Sequence, residues 1–233
     1  MPIPCYLAMT GTEFSNAAQL PDKVAWMACH YSCYGTGLSN LPPQLPEGSL
    51  VILNDRTPPC RHDPELIVRQ LKALYEAIAP FGFLLDLQRP ELQENSIIAK
   101  AITEALPCPV AVSDLYAKEL SGPVFLPPVP VDMPLSDHIN SWEGREIWLE
   151  VALQTEVFTL TENGCTVTSD EALPLQEPVF EAPALLCRYH WELHDHTAFF
   201  TLQRTKKELD TLLQNAEGVR LAVGLYQQLG QFS

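Results

Sequence analysis

Short apolar runs alternate with amphipathic segments over the first half of the chain. The run at 49–55 and the run Phe81-Gly-Phe-Leu-Leu-Asp-Leu-Gln88 are apolar through their middle and end in polar residues. Such runs are typical of strands that are buried on both faces of a parallel sheet. The segment 63–79 between them has apolar residues at the helical period of about 3.6 residues, and it opens with Asp63 as N-cap and Pro64 at the first helical position.

The same alternation continues along the rest of the chain. It predicts further strands and helices, the strands at 5–9, 24–31, 110–114, 123–134 (distorted by its prolines), 146–152 and 219–226, and the helices at 96–106 and 205–216. For 219–229 a helix is the alternative. Strands that alternate with helices favour a parallel sheet with right-handed crossovers. We therefore predict an α/β fold, a compact or incomplete (β/α)8 TIM barrel, with an open doubly wound sheet as the alternative.

Two stretches in the second half have the pattern of antiparallel hairpins. The runs on either side of Glu162-Asn163-Gly164 alternate between apolar and polar residues around a strong turn signal. A second pair of runs, 185–192 and 197–203, has its turn near His194-Asp195. We predict one TIM-barrel-like domain over 1–233, with inserted antiparallel β-hairpins around 155–203.

The composition excludes several classes of partner. The formal charge is −15, with 29 acidic against 14 basic residues and no cluster of Lys or Arg, which disfavours nucleic acid and anionic membrane surfaces. No apolar run is long enough to cross a bilayer. The first residues do not have the pattern of a signal peptide, and seven cysteines are scattered without metal-ligand spacing. We therefore expect reduced thiols and a cytoplasmic location, with no cofactor, and the oligomeric state stays open.

Acidic residues follow the predicted buried strands. Asp55, Asp86 and Asp114 each end one of these runs. Because the carboxyl ends of barrel strands converge on one pocket, we predict a carboxylate-lined cleft that suits polyols or amino sugars, with Glu150 and Asp132 as further members. The alternative is that each Asp caps the loop or helix that follows it.

Gln88 and Arg89 are expected at the mouth of this cleft as ligand-binding residues. Arg89 has a structural alternative, an ion pair with Asp55 or Asp114.

The strand at 81–88 and the late part of the chain together resemble glycoside hydrolase family 18, the chitinase-like barrels. The fourth strand of that family carries D-G-x-D-x-D-x-E, and here Gly82 and Asp86 match the pattern, with Arg89-Pro90 after it. The hairpins, a helix with Lys206 and Lys207, and a last strand that ends at the aromatic Tyr226 follow the family's order. The resemblance implies a TIM barrel that binds carbohydrate, and it adds Tyr226 to the expected ligand-binding residues.

One departure from the family pattern concerns its chemistry. The motif's Glu protonates the glycosidic oxygen in the family, and Gln88 stands at that position here. A carboxamide has no proton to donate, and loss of a general acid typically lowers the rate by about 10²–10⁴-fold. The resemblance therefore implies a barrel that binds a carbohydrate-like or small polar ligand and lacks standard chitinase activity.

Two other functions remain open from the sequence. One is an active glycosidase or other hydrolase that uses Asp86 with Asp114 or Glu150 as acid and base. The other is a protein-interaction module in which the hairpins offer an edge for strand pairing.

Histidines and cysteines do not add a site. In an unbroken strand His190, Glu192, His194 and His196 share one face, a spacing that suits Zn²⁺, but a hairpin tip at His194 separates these ligands, so no metal site is predicted. Cys29 and His30 are adjacent in a predicted strand and point to opposite faces, which excludes a catalytic dyad.

Overall fold

The computed structural model describes residues 3–31, 37–55, 63–87, 92–129, 134–152, 154–161, 164–168, 180–182, 185–192, 197–204 and 206–229. The chain divides into two compact units. The larger unit comprises Ile3–Pro127, Trp142–Glu150 and Gly218–Ser233, and the smaller comprises Met1–Pro2, Pro128–Ser141 and Val151–Glu217.

The strands are short and are spread over the whole chain. In order they are β1 (Cys5–Met9), β2 (Val24–Trp26), β3 (His30–Tyr31), β4 (Leu38–Ser39), β5 (Leu50–Asn54), β6 (Gly82–Asp86), β7 (Val110–Ser113), β8 (Val124–Leu126), β9 (Ile147–Val151), β10 (Gln154–Thr161), β11 (Gly164–Thr168), β12 (Phe180–Ala182), β13 (Leu185–Glu192), β14 (Thr197–Arg204) and β15 (Val219–Leu225).

The larger unit is a closed parallel barrel. Its strands follow one another around the barrel in chain order, β1, β2, β5, β6, β7, β8, β9 and β15, and β15 pairs with β1 to close the ring. The α/β prediction and its TIM-like barrel are therefore confirmed, and the open doubly wound alternative is wrong. The segment 219–225 is a strand, as the first of its two interpretations had it.

Several of the helices are short. They are α1 (Gly11–Asn16), α2 (Pro64–Ile78), α3 (Leu92–Ala105), α4 (Leu135–Ile139), α5 (Lys206–Asn215) and α6 (Tyr226–Leu229), with 3-10 turns at Ala117–Glu119 and Asn140–Trp142. The Asp63 side chain accepts hydrogen bonds from the backbone N–H groups of Glu65 and Leu66, so it is the N-cap of α2 as predicted. Within the described residues, no helix combines the length and the apolar character needed to cross a membrane.

Side chains fill the barrel interior. One buried cluster has members on the barrel strands and none on the described parts of α2 or α3, which identifies it as the inward-facing layer. Its members are Tyr6, Ala8, Ala25, Leu50, Ile52, Leu84, Ala111, Trp148, Leu221 and Val223, with Met27, Phe81 and Phe125 packed against them.

Aromatic rings close the N-terminal end of the barrel. The Phe81 ring stacks on Tyr6 and on Trp148, with ring centroids 6.4 and 6.1 Å apart. The Trp148 indole Nε1 donates to a carboxylate oxygen of Glu146 at 2.9 Å. This packing leaves the opposite, C-terminal end as the place where polar side chains can reach the interior layer.

The smaller unit contains a five-stranded antiparallel sheet in the order β11-β10-β14-β13-β12. Val157 pairs with Thr168 across β10 and β11, and Tyr189 pairs with Phe200 across β13 and β14. The strand pairs that flank the predicted turns thus run antiparallel.

Candidate ligand site at the C-terminal end of the barrel

The predicted site residues that the structure describes all lie at the C-terminal ends of barrel strands. Asp86 is the last residue of β6, and Glu150 is the last but one of β9. Asp55, Asp114 and Tyr226 directly follow β5, β7 and β15. Parallel strands end on the same side of a barrel, so these five residues belong to its C-terminal end.

Three predicted ligand-binding residues, Gln88, Arg89 and Asp132, lie outside the described residues. The same holds for His194 and His196 of the zinc pattern. His190 and Glu192 lie on β13.

The alternation of side chains along a strand identifies which acids face the interior. Asp86 stands two residues after Leu84, and Glu150 stands two residues after Trp148, and both apolar residues belong to the interior cluster. Side chains of residues two apart on a strand share a face, so Asp86 and Glu150 continue the interior layer towards the C-terminal end of the barrel. Asp55 and Asp114 instead come after the last residues of their strands and begin the loops.

His30 joins this layer because the second predicted strand is broken. The prediction of one strand over 24–31 is wrong: β2 ends at Trp26, the chain leaves the ladder, and it returns at His30 beside Asn54. Asn54 holds the departure in place, since its side-chain Nδ2 donates to Met27 O at 3.0 Å and its backbone N–H donates to Cys29 O at 3.2 Å.

This irregularity changes the face on which His30 lies. In an unbroken strand it would point away from the layer that contains Ala25. In the structure His30 pairs with Asn54, and Asn54 pairs with Asp86. Partners in a parallel ladder share a face, so His30, Asn54 and Asp86 form a polar row above the apolar interior.

The ring of His30 is held through one of its nitrogens. Nδ1 lies 3.1 Å from Ala28 O and 3.3 Å from the side-chain Nδ2 of Asn40. A proton on Nδ1 is donated to Ala28 O, whereas a bare Nδ1 accepts from Asn40. Both of these contacts involve Nδ1, whichever tautomer is present.

Tyr116 lies against the end of β6. It is 6% exposed, its hydroxyl donates to Leu85 O at 2.9 Å, and it accepts from the Leu87 N–H at 3.4 Å. Burial raises the pKa of Tyr116 well above its ordinary value, and the negative charges of Asp86 and Asp55 raise it further. These two carboxylates therefore belong to one electrostatic neighbourhood around the phenol.

Sequence reasoning missed His30 and Tyr116 for different reasons. The break after Trp26 has no local glycine or proline to announce it. Tyr116 comes after β7 in the segment Asp-Leu-Tyr, where an aromatic residue has the appearance of ordinary packing.

The described residues contain neither a metal site nor an activated thiol in the barrel. No group of three or more His, Cys, Asp or Glu side chains among them is arranged to hold a metal ion. Cys29 is fully buried near His30, and burial raises the pKa of its thiol to about 12, so it is protonated at neutral pH. The chemistry available here is hydrogen bonding to carboxylates and an imidazole, and proton transfer between them.

Comparisons of the chain with protein-family models, with curated proteins and with solved structures gave no match. They therefore lend no support to the resemblance to glycoside hydrolase family 18.

Proposed function

We propose that the C-terminal end of the barrel binds a small polar ligand rich in hydroxyl groups, such as a sugar or polyol, without standard chitinase activity. The observation that carries this proposal is the polar row of His30, Asn54 and Asp86, which shares the interior face with Glu150. The opposite end is closed by the stacked rings of Tyr6, Phe81 and Trp148.

The chemistry of the row favours a hydroxyl-bearing ligand. Carboxylates accept hydrogen bonds and donate none, so Asp86 and Glu150 suit a ligand that carries hydrogen-bond donors. Asn54 uses its Nδ2 on Met27 O, which leaves its carbonyl oxygen as an acceptor. Hydroxyl groups of a ligand can donate to these acceptors, and hydrogen bonds to charged groups contribute roughly 1.5–3 kcal/mol each.

The wider proposal keeps the partners expected from the sequence. The ligand is a small molecule, nucleic acid and membrane surfaces are not partners, and the location is cytoplasmic. The antiparallel strands β10 to β14 come between β9 and β15 in the chain, and we treat them as an insertion into the barrel.

The test is a binding screen that compares the intact chain with Asp86→Asn. Monosaccharides, amino sugars, N-acetylglucosamine oligomers and polyols are titrated while amide shifts are followed by NMR. We expect at least one of these compounds to shift resonances of the polar row, and Asp86→Asn to weaken its affinity by about tenfold or more.

Asp210→Asn is the matched control, since Asp210 is exposed on α5 in the smaller unit and should leave the affinity unchanged. Equal affinity of the two variants, or a panel in which nothing binds, would overturn the proposal.

A second candidate is a hydrolase that uses Asp86 and Glu150 as its acid and base. The observation in its favour is that these two carboxylates, from β6 and β9, continue the same interior layer, whereas Asp114 begins a loop. Hydrolysis of aryl glycosides that disappears in both Asp86→Asn and Glu150→Gln would support it. Carboxyl groups separated by about 5–10 Å in a ligand complex are the geometry that it requires. If no glycoside in the panel is hydrolysed but binding is retained, the hydrolase candidate is refuted and the binding function is the one that stands.

A further inference from the structure

Side chains from two other elements hold the backbone on both sides of Asp86. The Tyr116 hydroxyl donates to the carbonyl of Leu85 at 2.9 Å and accepts from the N–H of Leu87 at 3.4 Å. From α3, the Asn95 Nδ2 donates to the carbonyl of Leu87 at 3.4 Å, and Asn95 is completely buried. Asp86 lies between Leu85 and Leu87, the two residues whose backbone groups form these hydrogen bonds.

These contacts begin where the pairing of β6 with β7 ends. The ladder of β6 and β7 pairs Phe83 with Val110 and ends with Leu85 opposite Val112. Beyond that point Tyr116 bonds the backbone of β6 from the segment that follows β7. The phenol thus extends the support of the strand by the residues that flank Asp86.

Burial of a phenol hydroxyl or a carboxamide lowers the stability of the fold unless the polar group is hydrogen-bonded. An apolar residue would fill the same space without that cost. The two side chains bond the backbone of one short segment, Leu85 to Leu87. Such an arrangement fixes the conformation of that segment more than it adds to the apolar core.

We infer that Tyr116 is a positioning residue, whose hydroxyl holds the backbone around Asp86 so that the carboxylate keeps its place in the polar row. This inference rests on the proposed function, because it gives a role to the residue that the ligand is proposed to contact. Asn95 supports the same segment from α3.

The test uses Tyr116→Phe in the full chain and needs no ligand. Hydrogen exchange of the Leu87 amide reports the loss of its acceptor, and a ¹³C titration of the Asp86 carboxyl reports the surroundings of that group. We expect Leu87 exchange to quicken about tenfold or more, and the Asp86 midpoint to move by about half a pH unit or more.

Tyr31→Phe is the matched control. Tyr31 is 2% exposed, and its hydroxyl accepts from the Asp63 N–H at 3.2 Å at the start of α2. Its loss should quicken exchange at Asp63 and leave Leu87 and the Asp86 titration unchanged. Tyr116→Phe values that match those of Tyr31→Phe at Leu87 and Asp86 would overturn the inference.

A second form of the experiment applies if Tyr116→Phe does not fold. Incorporation of 3-fluorotyrosine at position 116 keeps the ring and changes the hydrogen-bonding strength of the hydroxyl. Shifts of the Leu85 carbonyl, the Leu87 amide and the Asp86 carboxyl are then expected, and unchanged signals at all three would contradict the role. If no compound in the binding screen binds, the proposed function is refuted. The Leu87 exchange and the Asp86 titration still decide the role of Tyr116, because neither needs a ligand.

Discussion

At the residue scale, Gly82 and Asp86 are the two matches to the chitinase-like motif, and packing accounts for the first of them. A Cβ on Gly82 would lie 2.6 Å from Pro109 O and 2.9 Å from Trp148 Cη2. Glycine is therefore required by the approach of the backbone before β7 and by the indole that closes the N-terminal end. Gly82 therefore gives no evidence for a carbohydrate enzyme, and of the two motif matches only Asp86 bears on the proposed function.

Gly82→Ala is expected to destabilise the barrel by about 1–3 kcal/mol, the usual cost of forcing extra atoms into a packed core. Urea denaturation followed by tryptophan fluorescence measures the change. Gly11→Ala is the control, because its Cβ would meet Trp26 Cη2 at an ordinary 3.6 Å. A Gly82→Ala chain as stable as Gly11→Ala would show that Trp148 can move away at little cost.

The sequence predicted Asp55, Asp86 and Asp114 at strand ends, because an acid after an apolar run is visible in one dimension, and it predicted Glu150 as a further member of the cleft. The role of His30 depends on a three-residue departure from the ladder that Asn54 holds with two hydrogen bonds. The role of Tyr116 depends on contacts made 31 and 29 positions back along the chain, to Leu85 and Leu87. Both arise from tertiary structure and leave no local pattern.

At the element scale, the elements with strong local signals begin and end close to their predicted bounds. Asp63 and Pro64 start α2 as expected, and its buried face carries Ile67, Leu71 and Leu74. Weakly marked elements differ more: of the distorted strand predicted over 123–134, the described residues 123–129 form a strand only at Val124–Leu126, and 130–133 lie outside the described residues. Prolines around it remove donors that a longer ladder would need.

The connection between β7 and β8 lacks an α-helix, and Arg145 supports it instead. Its guanidinium donates to Gly122 O and to Ala117 O, the latter at 3.0 Å, and it lies over the Trp142 ring. Burial lowers the pKa of Arg145, which nevertheless stays charged at neutral pH. The Arg145 side chain thus donates hydrogen bonds to backbone carbonyls that, in a helix, would accept them from backbone N–H groups.

Arg145→Lys is expected to lower the free energy of unfolding by about 1–2 kcal/mol, because a single ammonium cannot reach both carbonyls with the geometry of the planar fork. Chemical denaturation gives the change, and faster exchange of the Leu120 amide, bonded to Ala117 O, locates it. Arg69→Lys on the exposed side of α2 is the control and should be neutral. Equal stability of the two variants would mean that the loop holds without the guanidinium.

At the scale of the whole molecule, strand and helix alternation was enough to predict the barrel, whereas its closure was not visible. Closure requires β2 to pair with both β1 and β5, and it does so through only a few residues, Ala25 with Leu50 and Trp26 with Val51. The larger unit then has two unlike ends, one closed by stacked rings and one lined by polar side chains. That difference, more than any motif, points to the C-terminal end as the site.

One buried thiol, Cys29, and two partly buried thiols, Cys5 and Cys108, predict how the stability of this chain responds to alkaline pH. Burial raises the pKa of Cys5 and Cys108 from 9.0 to about 11 and that of Cys29 to about 12. A raised pKa in the folded state means that the stabilisation is complete below pH 9 and is lost as the pH rises from there towards 11 and 12. For the buried Cys29, ionisation on unfolding lowers the free energy of unfolding by at most about 1.4 kcal/mol per pH unit, and the partly buried Cys5 and Cys108 contribute less because solvent screens them.

Denaturation midpoints measured from about pH 7 to pH 11 should therefore stay level and then decline above pH 9, with a shallower decline in Cys29→Ala. The net charge of −15 also opposes the compact state, and added salt screens that repulsion far more than it affects a buried thiol. A decline that persists in high salt and is reduced by Cys29→Ala assigns it to the thiols. A decline that salt abolishes would assign it to the surface charge instead.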